Sequence, residues 1–344
     1  MTDKITIAGL LPEEIAELIK DQPLFRNRQI YQWILSGATT FSEMNSLPAA
    51  LREQLEEKFC IVPGKVVSEL KDHERTVKLA AELDDGSVIE CVLLSDEEGR
   101  KTACLSTQAG CPMGCIFCKT GSLRFRRNLS AAEISGQLLF LLHREPKISN
   151  IVIMGMGEPL LNLEALRKSL AFFMHSSGLN ISKRRITIST CGQEKGIIDI
   201  ADNGPDVRLA LSLTTARQDL RVRLMPVSRD NPLPRIKNAL LYFQKKRKQQ
   251  ITLEMVLLSG INTGPEEAFA VGEFARSLDA VINLIPWNPV EGLKFDSSEL
   301  KTPPTAEINA FTGMLKNRGL RVTQRFEKGR KISAACGQLG VVNP

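Results

Sequence analysis

From residue 102 onward short β-rich runs alternate with helix-like segments, and this alternation constrains the fold more than any other feature of the chain. The runs TACLS (102–106), NIVIM (150–154), RITIST (185–190), VRLALSL (207–213), ITLEMVLL (251–258) and AVINLI (280–285) are separated by helix-like stretches such as 130–143, 163–175, 233–248 and 265–278. Strands joined through helices pair in parallel. Ser130 and Glu133 form a capping box at the start of the first of these helices. Six such units predict an α/β fold built as an open or partial (β/α)6 barrel, in which chemistry sits in the loops after the strands.

The preceding residues have a different character. Residues 1–60 read as a helical unit: Ile15, Leu18 and Ile19, then Ile30, Trp33 and Ile34 ahead of Gly37, have amphipathic spacing. PAALREQLEEKF opens with a proline suited to a first helical turn. Residues 61–101 contain VVSELK, TVKLAAEL and SVIECVLL, broken by Asp84-Asp85-Gly86 and DEEGR, and predict a small β linker joining two domains. The expected division is a helical accessory domain over 1–60, a β-rich linker or extension over 61–101, and the core with a basic C-terminal segment over 102–344. At 43% hydrophobic and 24% charged residues the chain is an ordinary globular one. No apolar run approaches the roughly 20 residues of a membrane span, and MTDKITIAGLLPEEIAELIK has acids where a signal peptide has a basic region. A cytoplasmic protein with no membrane partner is expected.

Four of the eight cysteines fall between positions 104 and 118. Directly after the first core strand, GCPMGCIFCKTG sets Cys111, Cys115 and Cys118 in C-x3-C-x2-C spacing. Three thiolates in one loop suit zinc or an iron–sulfur cluster. A tetrahedral zinc ion would lack its fourth ligand here, and the loop contains no histidine. A four-iron cluster with one iron free to bind a small molecule fits better, and a closed metal site that only staples the loop is the alternative.

The cysteine spacing at the end of a first strand resembles the radical S-adenosylmethionine superfamily. TACLSTQAGCPMGCIFCKTG, MGMGEPLLN, ISTCG, IPWNP and AACGQL, in this order, resemble the RlmN/Cfr family of RNA adenine methyltransferases over nearly the whole chain, including FRNRQIYQWI in the N-terminal unit. The resemblance implies a radical-SAM barrel with a 4Fe–4S cluster held by Cys111, Cys115 and Cys118, two S-adenosylmethionine molecules per turnover, an electron donor and a monomer. Adenine C2 and C8 are electrophilic, so polar transfer of a sulfonium methyl is unfavourable and a radical route is required. By resemblance Cys336 is first methylated, the methyl group loses a hydrogen to a deoxyadenosyl radical, and the methylene radical adds to the ring. A second thiol, Cys104 by its motif position, then releases the RNA by forming a disulfide with Cys336.

Other roles follow from the same resemblance. Glu90, a lone carboxylate in an apolar run, matches the base that removes the ring proton, although one extra residue separates it from Cys104. Gly155, Gly157 and Glu158 form a glycine turn with a carboxylate able to accept from an ammonium. The family implies that Gly157 and Glu158 bind the methionine end of the cofactor, with Ser189, Ser212, Leu213, Thr214 and Asn288 as further contacts. Thr214 stands where family members commonly have histidine. Trp287 is assigned no role, Cys60, Cys91 and Cys191 read as buried small hydrophobes, and His73, His143 and His175 have no identifiable partner.

Charge points to a polyanion. Residues 301–344 hold Lys301, Lys316, Arg318, Arg321, Arg325, Lys328, Arg330 and Lys331 against Glu307 and Glu327, an excess equal to the whole net charge of +6. In GSLRFRRN, Arg124, Arg126 and Arg127 surround Phe125, a pattern suited to phosphate contact and base stacking. Solvated basic faces are the alternative for both. The resemblance implies methylation of C2 of an adenosine in 23S rRNA, and of the tRNA adenosine 3′ of the anticodon. The alternatives are C8 of the same rRNA adenosine, as in the antibiotic-resistance branch, and, more distantly, a non-catalytic iron–sulfur protein that binds RNA.

Overall fold

A computed structural model of the chain describes residues 4–324 and 328–340, so Arg325 and Glu327 of the basic run lie outside the described residues. Its frame is one ten-stranded sheet. In chain order the strands are β1 (Lys65–Lys71), β2 (Val77–Glu82), β3 (Val88–Ser95), β4 (Lys101–Cys104), β5 (Asn150–Ile153), β6 (Ile186–Thr190), β7 (Arg208–Ser212), β8 (Ile251–Leu257), β9 (Ala280–Pro286) and β10 (Val322–Gln324). Each strand pairs with its neighbours in sequence, so the sheet runs from β1 at one edge to β10 at the other.

The strands from β4 to β10 are parallel, because helices return the chain between them. These crossovers include α4 (Ala131–Leu142), α5 (Leu163–Met174), α6 (Glu194–Asn203), α7 (Gln218–Leu224), α8 (Leu233–Arg247), α9 (Pro265–Ala275) and α10 (Thr305–Lys316). The Ser130 to Glu133 capping box is present, with the Ser130 hydroxyl accepting from the Glu133 amide at 3.2 Å. The six expected core strands all form, and β10 adds a seventh parallel strand.

Residues 61–101 form antiparallel strands joined by two turns. The two turns return the chain antiparallel, and β3 pairs with β4 from Val92↔Cys104 to Ser95↔Lys101, so β1, β2 and β3 extend the core sheet itself. This register matters for the site: opposed residues share a face, so Cys104, Val92 and, two residues along β3, Glu90 project to the same side.

The N-terminal helices α1 (Pro12–Leu18), α2 (Phe25–Leu35) and α3 (Ala49–Lys58) bury Ile15, Ile30, Tyr31 and Ile34 in a core continuous with that of the sheet. Tyr31 meets Phe172 edge-on at 5.7 Å, and His143 Nδ1 lies 2.9 Å from the Gly37 carbonyl. All three histidines therefore have partners, His175 lying against the Tyr31 ring and His73 Nε2 3.9 Å from Glu74 Oε1. Among the described residues no helix is long and apolar enough to cross a membrane.

Candidate active site

After β4 the chain continues beside β5, with Leu105 N–H donating to Val152 O and Thr107 N–H to Met156 O, before entering the cysteine loop. Gly110 opens that loop at φ +77°, with the carbonyl oxygen of Arg124 2.2 Å from where a Cβ would stand, so no other residue fits there. The loop is closed by an internal turn and fastened from two sides. Ile116 N–H donates to Leu224 O, Cys118 N–H to Cys115 O, and the Trp287 indole N–H to Phe117 O at 2.8 Å. Trp287, assigned no role from sequence, thus holds the backbone between two of the cysteines.

Cys111, Cys115 and Cys118 wall one side of a cavity of about 120 Å³ that also receives Gly157, Glu158, Ser189, Ser212 and Cys336. Burial pushes the Cys111 and Cys118 thiols above the usual range, so their ionisation needs a strong cationic ligand such as a metal. Among the described residues no three such side chains converge on a single ion.

The opposite wall comes from the C-terminal ends of the parallel strands, the expected position for ligands. Gly157 has φ +104°, and a Cβ there would lie 2.5 Å from Gln108 Cβ, so the turn after β5 packs against the approach to the cysteine loop only as glycine. The Glu158 carboxylate is buried, accepting from Leu160 N–H at 3.1 Å and Cys191 N–H at 2.7 Å, and burial raises its pKa. Ser189 Oγ donates to Glu254 Oε2 at 2.9 Å. Glu254 lines the cavity but escaped the sequence reading, although it is a lone carboxylate in an apolar run just as Glu90 is.

Two of the expected contacts do not line the cavity. Leu213 and Thr214 are fully buried behind the cavity wall, and their backbone groups are committed elsewhere: both amides donate to Glu254 O, Leu213 O accepts from Arg221 Nε, and Thr214 O from Asn262 Nδ2. Only Ser212 of that trio faces the cavity. Cys191 is also more than a small hydrophobe, since it lines the cavity with its sulfur 3.9 Å from that of Cys115.

A second cavity, of about 410 Å³, adjoins the first, and Met154, Cys336 and Leu339 line both. Its wall includes Cys104, Asn288, Asp96, Arg100 and Lys328. Cys336 is exposed, on a C-terminal segment tied down around it: Asn288 Nδ2 donates to Cys336 O at 3.1 Å, Lys119 N–H to Gly337 O at 2.7 Å, and Thr120 Oγ1 to Leu339 O at 2.6 Å. Asn288 Oδ1 is buried with no hydrogen-bond partner among the described residues, an acceptor that a ligand donor would satisfy. Glu90 lies beneath this segment, paired with Lys78 and accepting from the Gly340 amide.

Of the expected RNA contacts, Arg124, Phe125 and Arg126 are exposed. Arg127 is not available, because its guanidinium pairs with Asp85 at 2.7 Å and Glu133 at 2.8 Å. The C-terminal basic residues are likewise dispersed: Arg321 pairs with Asp279 and Arg318 lies over the Phe269 ring, while Lys328 lines the larger cavity.

Residues 105–270 match the radical SAM superfamily, and residues 9–61 match the ribosomal RNA large subunit methyltransferase N-terminal domain. The chain is 50% identical over 337 residues to the "Probable dual-specificity RNA methyltransferase RlmN" of Treponema denticola, covering 98% of this chain and 96% of that one. The chain belongs to the RlmN family of radical S-adenosylmethionine RNA methyltransferases. RlmN relatives of the same description from Moorella thermoacetica, at 41% identity, and Thermus thermophilus, at 39%, also match over 98% of the chain. A crystal structure of a radical SAM methyltransferase from Sphaerobacter thermophilus superposes with a TM-score of 0.92 at 34% identity, over 97% of this chain and 99% of that one. Membership of the RlmN family implies an iron–sulfur cluster and S-adenosylmethionine, and the cysteine-walled cavity and the glycine turn fit that pair.

Proposed function

We propose that the chain methylates C2 of an adenosine in 23S rRNA, and the tRNA adenosine 3′ of the anticodon, through an S-methylated Cys336. The observation that carries this reading is the position of Cys336, which lines both the cysteine-walled cavity and the larger cavity that contains Cys104. One thiol therefore faces a cofactor on one side and a substrate nucleotide on the other.

When bound by Cys111, Cys115 and Cys118, the cluster supplies an electron for reductive cleavage of S-adenosylmethionine. Gly157, Glu158, Ser189 and Ser212 would hold that cofactor, with Glu158 presenting negative charge to its ammonium and Asn288 Oδ1 accepting a donor. The Cys336 thiolate takes a methyl group from a first S-adenosylmethionine, leaving S-adenosylhomocysteine. Bonding the S-methyl carbon to adenine C2 requires it to lose one hydrogen atom, which the adenosyl fragment of a cleaved second S-adenosylmethionine would accept, and the adduct to lose one electron, which a bound cluster would take back; Glu90 then removes the C2 proton. Glu90 shares a sheet face with Cys104, and reaching it requires the Gly340 amide to release its carboxylate. The Cys104 thiolate then attacks the Cys336 sulfur. An S–S bond forms as the S–C bond breaks, the carbon takes a proton to become the methyl group, and an external reductant restores both thiols.

The test is mass spectrometry of nucleosides after anaerobic incubation of the reconstituted protein with 23S rRNA or tRNA, a reductant and methyl-labelled S-adenosylmethionine. Labelled 2-methyladenosine is expected. Labelled 8-methyladenosine would move the reaction to C8, and neither product from either RNA would overturn the reading. Cys104→Ala is expected to accumulate RNA covalently joined to Cys336.

A further inference from the structure

At the end of the sheet remote from the catalytic cavities, the segments entering β6, β7 and β8 form an open cleft of about 440 Å³. Lys183, Arg184, Arg208, Arg247 and Lys248 line it against one carboxylate, Asp206. Lys183 pairs with Asp206, whose pKa is lowered mainly by that hydrogen bond. Arg247 donates to the Ile200 carbonyl. Arg184, Arg208 and Lys248 are exposed and have no carboxylate within 4.0 Å among the described residues. We infer that this cleft is a second RNA surface, which grips the phosphate backbone of the substrate at a distance from the target adenosine. The inference rests on the reading that the chain methylates RNA.

Three features favour this over an incidental basic face. A helix C-terminus favours nearby cations, and the last turn of α8 has Lys245, Lys246 and Arg247, with Lys246 paired with Asp202. Of the cleft cations, Arg247 and Lys248 belong to that same helix end, but Lys183, Arg184 and Arg208 converge on it from two other connections. The cleft is also open, with exposed cations, so a small anion held there would stay largely hydrated. A polyanion is different, because each phosphate it lays against a cation releases condensed counterions. No large apolar or aromatic side chain lines the cleft, which removes the usual means of inserting into a lipid surface. Seven residues of β8 separate its mouth from the cavity end, roughly 20 Å at strand rise. A folded rRNA domain or a tRNA extends at least that far from the target adenosine, whereas a hairpin kept shorter than that distance cannot reach both sites.

The test compares the reconstituted wild type with Arg184→Ala/Arg208→Ala/Lys248→Ala, using a 23S rRNA transcript and a short hairpin that carries the same adenosine. The variant is expected to bind the transcript at least tenfold more weakly, to lose about 3 from the slope of log K against log salt, and to methylate the hairpin at the wild-type rate. Unchanged transcript affinity and slope would overturn the inference while leaving the methyltransferase reading intact. An equal loss on hairpin and transcript would also overturn it, as would loss of binding to anionic phospholipid vesicles with transcript binding retained. If the wild type methylates neither RNA, the functional reading fails first and this one with it.

Discussion

The Lys78 ammonium lies 2.9 Å from Glu90 Oε1, and both side chains are almost completely buried, at 4% and 1% exposure. Lys78 also donates to Ser333 O at 3.2 Å, and Glu90 accepts from the amide of Gly340. The pair therefore sits under both ends of the segment that carries Cys336. Removing one member of a buried pair strands the other, at a cost of about 3–5 kcal/mol. Lys78→Met is expected to lose that much stability in urea unfolding, and Lys78→Met/Glu90→Gln to recover much of it. Glu90→Gln alone separates the two roles of the carboxylate. A folded variant that retains full turnover would make Glu90 a strut for the C-terminal segment and not a base.

The indole of Trp287 supplies a second test. Its N–H bond to Phe117 O spans 170 residues and is buried, so Trp287→Phe keeps most of the packing and removes one hydrogen bond, about 1–2 kcal/mol. Because that bond lies between Cys115 and Cys118, the loss should fall on the cluster loop. Iron content after anaerobic reconstitution is expected to drop, with a faster loss of iron to a chelator. Iron retention equal to the wild type would confine Trp287 to core packing.

The contrast between these two sites and the cysteine motif explains what was legible in the sequence. Parallel strands covered on both faces read as continuous apolar runs, and the three cluster cysteines are local, so both were visible. β10 is only three residues long and too short to register. That residues 61–101 extend the sheet depends on the β3 to β4 register, which no local pattern encodes. Trp287, Arg221 and Cys191 act through contacts to backbone or sulfur far away in sequence, and nothing in their immediate neighbours distinguishes them from core residues. Leu213 and Thr214 were placed by motif alone, and the bend after β7 turns them behind the wall that Ser212 faces.

Glu158 gives a pH signature. Burial raises its pKa, so it favours the fold most below the ordinary carboxylate value of about 4.3, and this contribution is lost as pH rises through the raised value. In Glu158→Gln an NH2 group must face either Leu160 N–H or Cys191 N–H, which lowers stability at every pH. It has no ionisation to suffer, however. The gap in thermal midpoint between the two cofactor-free proteins is therefore expected to narrow from pH 4 toward pH 8. A gap that is constant or widens over that range would contradict the burial of an ionising carboxylate.

Arg221 braces the strand-end wall of the smaller cavity. Its guanidinium is fully buried, has no carboxylate partner among the described residues, and donates to Cys191 O at 2.8 Å, Ser212 O at 3.0 Å, Leu213 O at 3.2 Å and the Ser228 hydroxyl. Burial pushes its pKa down, yet a guanidinium stays charged in a protein. The planar fork, more than the charge, is what lets one side chain reach four acceptors. Arg221→Lys keeps the charge and leaves at least one buried carbonyl unsatisfied, a cost of about 1–3 kcal/mol for each. Because Cys191 and Ser212 line the cavity, the lysine variant is expected to bind S-adenosylmethionine at least tenfold more weakly while remaining folded. Arg221→Met removes fork and charge together. If its affinity falls no further than that of the lysine variant, the charge adds nothing beyond the geometry, and unchanged affinity in a folded lysine variant would reduce Arg221 to a brace for the fold.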